Sequence, residues 1–215
     1  MLRFSAFLLS LSVLLTACGN GLEVKDETDA LGFRKEYEVD PETGLKEGFL
    51  REYYPTGELS VEEAYTNDQL NGTRKVFSEN GQVLVLENIV MDEYDGEHIT
   101  YDEDGNLVMK GSYIDGAMNK AWFTYYPDGG VKAAMTFVDN EENGPVRMWY
   151  ENGQPMLSGE FEGGDEFSGV LHRYTEDGEL ERILNCAPGA GCRTFWTVDS
   201  MAAPVGGVDM TRPVL

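Results

Sequence analysis

Histidine, the side chain most often used in acid–base catalysis, is scarce in this sequence of 215 residues. It contains two histidines, His98 and His172, and neither lies in a recognisable nucleophile, metal or phosphate motif. No segment combines a nucleophile, a base and an oxyanion donor, and no glycine-rich segment precedes a helix as phosphate-binding loops do. The sequence therefore predicts no catalytic residue, no bound cofactor and a protein that is not an enzyme.

One acidic segment contains the oxygen ligands that Ca²⁺ prefers. It covers residues 102–106, from Asp102 through Gly105 to Asn106. It lacks the full EF-hand spacing and the distant bidentate glutamate, and comparable segments elsewhere in the chain carry other residues. The favoured interpretation is a plain turn, with a calcium site as the alternative, so no metal-binding residue is predicted.

The beginning of the chain has the pattern of an export signal. A basic residue precedes an apolar run at residues 4–15, which is shorter than the roughly 20 residues that a membrane-spanning helix needs. The Leu-Thr-Ala-Cys sequence that ends at Cys18 resembles the lipobox of bacterial lipoproteins. The resemblance implies cleavage after residue 17 and lipidation of Cys18, with an ordinary secretory signal as the alternative. Gly19 in place of Asp favours the outer membrane, facing the periplasm, if the cell is Gram-negative.

The other two cysteines, Cys186 and Cys192, flank a short loop that contains Pro188 and two glycines. We expect them to form a disulfide, because an exported chain folds where disulfides persist. Metal binding is an alternative, although two thiols supply only half of a tetrahedral site, and a redox role is another. A loop of this size adds only about 2 kcal/mol in the chain-entropy model.

The charge of the chain restricts its partners. Cleavage after residue 17 would remove Arg3 and leave 15 basic residues against 39 acidic ones, a net charge of −24. Nucleic-acid binding depends on basic residues that neutralise phosphates, so no nucleic-acid partner is expected. The same charge opposes docking onto anionic lipids, so contact with a membrane is expected through the lipid anchor only. The predicted partner is a protein, either cationic or neutral.

A glycine recurs along most of the chain at intervals of 24, 24, 24, 24 and 25 residues. Asn, Asp or Thr precedes each copy, and Pro or Glu precedes that residue, which is typical of a hairpin turn with a left-handed glycine. The predicted repeat-turn glycines are Gly57, Gly81, Gly105, Gly129, Gly153 and Gly178.

An aromatic residue stands four positions before every turn glycine, and apolar residues follow the glycine at even offsets, which is typical of half-buried strands. We expect these aromatic residues to form a buried column: Tyr53, Phe77, Tyr101, Tyr125, Trp149 and Tyr174. A second glycine series opens the repeats at Gly48, Gly72, Gly96, Gly144 and Gly169. Lys120 stands where the fourth repeat would have its glycine.

The two glycine series and the aromatic residues together resemble the bacterial variant of the MORN repeat, over about residues 32–186. The pattern predicts an all-β fold, an elongated twisted antiparallel sheet of tandem 24-residue β-hairpin repeats that stabilise one another. The predicted division is a signal peptide at 1–17, an anchor and linker at 18–31, the repeat array at 32–186, and a disulfide loop with a C-terminal cap or tail at 187–215. In that last segment Phe195 and Trp196 would cover the final sheet edge, or the tail would be disordered.

The predicted function is that of a membrane-anchored lipoprotein whose repeats form a non-catalytic protein-binding scaffold at the cell envelope. An alternative follows from the resemblance, because some bacterial proteins with these repeats are described as antitoxins. The chain would then be an antitoxin-like or immunity-type inhibitor of a cationic partner.

Overall fold

The structure, a computed structural model, describes residues 21–199, and every regular element in that part of the chain is a β-strand. The strands are Glu23–Thr28 (β1), Arg34–Val39 (β2), Lys46–Tyr53 (β3), Leu59–Thr66 (β4), Gln69–Leu70 (β5), Gly72–Phe77 (β6), Val83–Val90 (β7), Glu93–Tyr101 (β8), Leu107–Ile114 (β9), Ala117–Tyr125 (β10), Val131–Val138 (β11), Glu141–Trp149 (β12), Pro155–Phe161 (β13), Phe167–Tyr174 (β14), Leu180–Ala187 (β15) and Gly191–Thr197 (β16). Within this range no helix is long and apolar enough to cross a membrane.

All sixteen strands belong to one sheet, in which each strand pairs antiparallel with its neighbours in the chain. The short β5 pairs with β4 beside the main path, and β1 and β16 lie at the two ends. This order follows from the repeat, because a hairpin pairs internally and its outer strand then pairs with the next hairpin. The predicted all-β fold of tandem antiparallel hairpins is confirmed.

One long edge of the sheet, which we call the glycine edge, consists of the turns that contain the six predicted turn glycines. All six have a positive φ, between +82° and +101°. In the first of these turns the amide of Gly57 donates to the carbonyl of Tyr54 at 2.9 Å. Beside each turn the strand register shifts by one residue, at Tyr53 and at its counterpart in every later repeat. The turns therefore combine a left-handed glycine with a β-bulge.

The opposite edge, which we call the Asx edge, has two-residue turns at 67–68, 91–92, 115–116 and 139–140. Both residues of each turn have a positive φ, which is the conformation of a type I′ hairpin turn. Asp68 also joins the turn to the preceding repeat: its amide donates to the Lys46 carbonyl at 2.9 Å, and its Oδ1 accepts from the Lys46 amide at 2.8 Å. Asp92 makes the same pair of bonds with Leu70, and Asn140 with Met118. These bonds fix the spacing between neighbouring hairpins.

The second glycine series marks a backbone feature that every repeat shares. Its five glycines have φ between +67° and +136°, and Lys120 adopts a φ of +64° at the equivalent position. In the fourth repeat the pairing of β10 with β9 is interrupted between Asn119 and Phe123. The left-handed backbone is thus a property of the fold, and Lys120 adopts it although it has a side chain.

Tyrosines join neighbouring repeats along the glycine edge. The hydroxyl of Tyr54 donates to the carbonyl of Phe77 at 2.7 Å, that of Tyr126 to Trp149 at 2.8 Å, and that of Tyr150 to Tyr174 at 2.9 Å. In each case the acceptor is the column aromatic of the following repeat. Where a tyrosine follows a column residue in this way, its hydroxyl therefore joins one repeat to the next.

The predicted aromatic column is buried in the middle of the array and half-buried elsewhere. Trp149 is fully buried and Tyr125 nearly so, and both pack with Val131. The other four column residues are half-buried. The expectation that the whole column is core is therefore corrected, because in a single sheet each side chain is covered only by its neighbours on the same face.

Two predicted boundaries also differ from the structure. The sequence predicts an anchor and linker at 18–31, but β1 lies inside that segment and pairs along its length with β2. At the other end β16 extends the sheet beyond residue 186, and Phe195 in that strand is 73% exposed. Phe195 and Trp196 therefore belong to an added edge strand. Residues 1–20, including Cys18, and residues 200–215 lie outside the described residues.

Candidate binding surface

The strand register assigns residues to the two faces of the sheet, because directly opposed residues of neighbouring strands point to the same side. We call the side of Leu50 and Trp122 face 1, and the side of Arg51 and Phe123 face 2. Contacts between side chains agree with this assignment. Trp122 and Phe137 meet on face 1, and Phe123 packs beside Tyr125 on face 2.

Face 1 has a continuous row of side chains that crosses nine strands, from β4 to β13. At a spacing of about 4.8 Å between strands the row is roughly 38 Å long. All of its members are apolar or threonine, and eight of the nine are half-buried: Val61, Val76, Val85, Thr100, Met109, Thr124, Ala133, Met148 and Leu157. No second layer of residues between 21 and 199 covers them, because those residues form a single sheet.

A chain of charged side chains lies beside this row in the first three repeats. Arg74 donates from Nε to Glu63 Oε1 at 2.9 Å and from Nη1 to Glu87 Oε2 at 3.0 Å. Glu87 is buried, and its other oxygen lies 3.3 Å from His98 Nδ1. That last pair is at ion-pair distance but is not aligned as a hydrogen bond. Burial lowers the pKa of His98 below its ordinary value, and the carboxylate of Glu87 offsets only part of this effect.

The charged chain ends at an aromatic cluster on the same face. The ring of Tyr113 stacks on Tyr94 at 5.1 Å between centroids and meets Trp122 edge to face at 5.2 Å. His98 contacts Tyr113 and Trp122 at 5.6 and 5.7 Å, and Phe137 continues the cluster at 6.2 Å from Trp122. These rings form a continuous aromatic patch on face 1.

Trp122 is 2% exposed although it belongs to a single sheet. A glycine explains this: a Cβ atom added to Gly111, the opposed residue on β9, would lie 2.0 Å from the indole ring. The ring therefore lies flat on the backbone of β9. Leu171 uses Gly159 in the same way, with its Cδ1 2.7 Å from the position of a Cβ.

Face 2 is more polar. Arg51 and Lys75 both pair with Glu62, at 3.0 and 3.3 Å, and Lys110 pairs with Glu97 at 2.7 Å. The basic members of these ion pairs lie on the same cross-strand row as Phe123 of the fourth repeat. Face 2 therefore combines solvated ion pairs in the early repeats with the small core around Trp149.

The residues that the sequence singled out lie far apart. The six turn glycines line one edge, and Cys186 and Cys192 form the predicted disulfide between β15 and β16. His98 lies on face 1 and His172 on face 2. The charged chain has no signal in the sequence, because it depends on cross-strand register, whereas Gly111 inside a strand pattern could have indicated close packing.

The acidic segment at 102–106 is a turn of the glycine edge. Asp102 accepts from the Asn106 side chain at 3.0 Å and from the amides of Asn106 and Asp104 at 2.8 and 3.0 Å. These bonds lower the pKa of Asp102, and the hydrogen bond from the Asn106 side chain has the largest effect. Among the residues that the structure describes, no group of three or more His, Cys, Asp or Glu side chains could hold a metal ion.

Comparison with known proteins bears on three of the hairpins. No curated protein matches the chain. A family described as the MORN repeat variant matches residues 70–90, 94–115 and 142–162, and each match contains two strands around one turn glycine, Gly81, Gly105 or Gly153. The intervening hairpin, β10 with β11, has the same fold but carries Lys120 in place of glycine. Three hairpins of the sheet therefore match the MORN repeat variant.

Proposed function

We propose that this protein is a non-catalytic protein-binding scaffold at the cell envelope, anchored by a lipid on Cys18. The observation that carries the binding role is the apolar row of face 1, together with the aromatic cluster around Trp122. A half-buried apolar strip about 38 Å long, with no second layer among residues 21–199, is typical of a protein-binding surface.

The charges favour a partner of a particular kind. Carboxylates line both long edges of the sheet, and those on the Asx edge or beside it include Asp68, Asp92, Glu93, Asp139 and Glu141. The partner would place apolar side chains on face 1 and neutral or basic groups along this edge. Such a division would give affinity through the apolar contact and orientation through the charges.

Site-specific photo-crosslinking in intact cells tests which face is used. A photoreactive amino acid replaces Met109 on face 1 or, as the matched control on the same strand, Ser112 on face 2. We expect one discrete crosslinked protein from the Met109 position and none from Ser112. Equal crosslinking from the two positions, or none from either, would contradict binding by face 1.

The salt dependence of association with the crosslinked partner separates the two kinds of contact. Exposed charges are screened beyond about 8 Å at physiological ionic strength. We expect the association rate to fall between roughly 50 and 500 mM salt while the dissociation rate changes little. Recovery of one stoichiometric basic effector whose activity is blocked would instead favour an inhibitor over a scaffold.

The anchor has its own test. Replacing Cys18→Ala removes the sulfur that would be acylated, so incorporation of a palmitate analogue and membrane retention should both be lost. Cys192→Ala serves as the control, because it removes a cysteine sulfur outside the lipobox. Equal labelling of the wild type and the Cys18 variant would contradict the lipoprotein assignment.

A further inference from the structure

A groove of about 320 Å³ lies on face 2 across strands β12, β13 and β14. Arg147, Ser158 and His172 form its floor and are direct cross-strand neighbours, Arg147 opposite Ser158 and Ser158 opposite His172. Pro145 and Val170 contribute apolar walls. The volume lies near the lower limit for small-molecule sites.

Arg147 differs from the other basic residues that lie on the same cross-strand row of face 2. Arg51, Lys75 and Lys110 each pair with a carboxylate on face 2. Within residues 21–199 no carboxylate oxygen lies within ion-pair distance of Arg147. Arg147 therefore places a guanidinium without an ion pair to a described residue at the floor of the groove.

Two further polar atoms of the same floor make no well-aligned hydrogen bond with any residue that the structure describes. Ser158 is 3% exposed and its Oγ lies beside the Tyr174 hydroxyl, but neither this Oγ nor the buried Nδ1 of His172 makes a hydrogen bond of normal geometry. A buried polar atom without a partner is destabilising unless a ligand or solvent satisfies it. A guanidinium, a hydroxyl and an imidazole nitrogen side by side are a donor set for an oxyanion.

We propose that this groove binds a small organic monocarboxylate, with the carboxylate on Arg147, Ser158 and His172 and an apolar substituent against Pro145 and Val170. The site goes beyond the proposed scaffold role, because it lies on the opposite face and takes a small molecule. His172 would donate to the carboxylate from Nδ1, in a form of the ring that carries a proton on that nitrogen. Burial keeps the pKa of His172 below its ordinary value, and a bound anion would raise it.

Glu160 restricts the ligand to a single negative charge. It lines the groove two residues after Ser158, so it lies on the same face. A second anionic group on the ligand would lie close to this carboxylate and be repelled. The site should therefore prefer benzoate to phthalate.

Titration of the purified protein with benzoate, followed through the ring signals of His172 in NMR spectra, tests the proposal. The chain has two histidines, so His98 on the other face is an internal control. We expect a saturable shift at His172 with a dissociation constant on the order of 1 mM, as for a small fragment, and none at His98. The absence of a saturable shift at His172 up to about ten times that concentration would overturn the proposal.

Three variants locate the contacts. Arg147→Gln should weaken benzoate binding about tenfold, whereas Lys110→Gln, which removes a paired cation from the same face, should leave it unchanged. Glu160→Gln should improve phthalate binding several-fold relative to benzoate. Unchanged amide spectra away from the groove would show that each variant is folded. Equal affinity of the wild type and Arg147→Gln would overturn the site.

Discussion

Glu87 and His98 face each other across strands β7 and β8, with 3.3 Å between Glu87 Oε1 and His98 Nδ1. Glu87 already binds Arg74 with its other oxygen. The carboxylate therefore has a cationic partner whether or not His98 is protonated. This explains why burial, which disfavours the imidazolium, dominates the pKa of His98.

The first prediction concerns stability in weak acid. Because the folded-state pKa of His98 lies below that of an unfolded histidine, about 6.5, the unfolded chain binds the proton more readily. The contribution of His98 to stability is full above pH 6.5 and is lost as pH falls from 6.5 towards the folded-state pKa. The pKa of His172 is lowered in the same direction by burial.

Urea unfolding of the wild type and His98→Gln at pH 7.5 and pH 5.5 measures this effect. The wild type should lose more stability over that interval than the variant, since carboxylates and His172 affect both alike. An NMR titration of the folded protein gives the pKa of His98 directly. A value at or above 6.5 would contradict the prediction.

The second prediction concerns the tyrosine contacts between repeats. Tyr150→Phe removes the hydroxyl that donates to the carbonyl of Tyr174 at 2.9 Å, so the free energy of unfolding should fall by about 1 kcal/mol. Tyr94→Phe is the control, because its hydroxyl makes no hydrogen bond with another described residue and its ring is 38% exposed. Thermal unfolding that changes equally in both variants would show that the hydroxyl of Tyr150 is not the cause.

The third prediction separates the middle of the aromatic column from the rest. Trp149 is fully buried, so Trp149→Ala should cost about 3 to 5 kcal/mol. Tyr101 is half-buried on its face, and Tyr101→Ala should cost roughly half as much. Urea midpoints report both changes. A larger effect at Tyr101 would mean that the core lies in the third repeat.

Much of this fold could be predicted from residues at fixed spacing. The turn glycines, such as Gly57 and Gly153, indicated one edge of the sheet because a left-handed turn tolerates few other residues. The Asx edge escaped prediction because Met91 occupies a left-handed position, with φ +49°, without resembling a turn residue. Strand β1 escaped because Glu23–Thr28 is polar, and its pairing with β2 uses the main chain.

The candidate sites were less predictable than the fold. The proximity of Glu63, Arg74 and Glu87 depends on strand register, and each repeat contains bulges that shift it. The same holds for the groove, since Arg147 on β12 and His172 on β14 are separated in sequence by the whole of strand β13. His98 and Arg74 are 24 residues apart and so occupy equivalent repeat positions, but the sequence does not show that both contact Glu87.

The last prediction uses the one repeat that lacks its opening glycine. Lys120 has a φ of +64°, and a residue with a side chain in that region costs on the order of 1 to 3 kcal/mol. Lys120→Gly removes this cost. It also makes the unfolded chain more flexible, which lowers the gain in the free energy of unfolding by about 0.4 to 1 kcal/mol. The variant should therefore be more stable by about 1 kcal/mol. Lys120 is exposed and forms no ion pair within the described range, so the charge it carries contributes little.

Gly144, the equivalent residue one repeat later, supplies the matched control. Its φ is +108°, outside the region that a side chain tolerates, so Gly144→Ala should destabilise the protein although the nearest atom, Thr136 Cβ, would lie 3.5 Å from the added methyl group. Lys120→Ala separates backbone from charge, because it removes the ammonium but keeps a Cβ at the same φ. If urea midpoints rise equally in Lys120→Ala and Lys120→Gly, the gain comes from the lost charge and the backbone explanation is wrong.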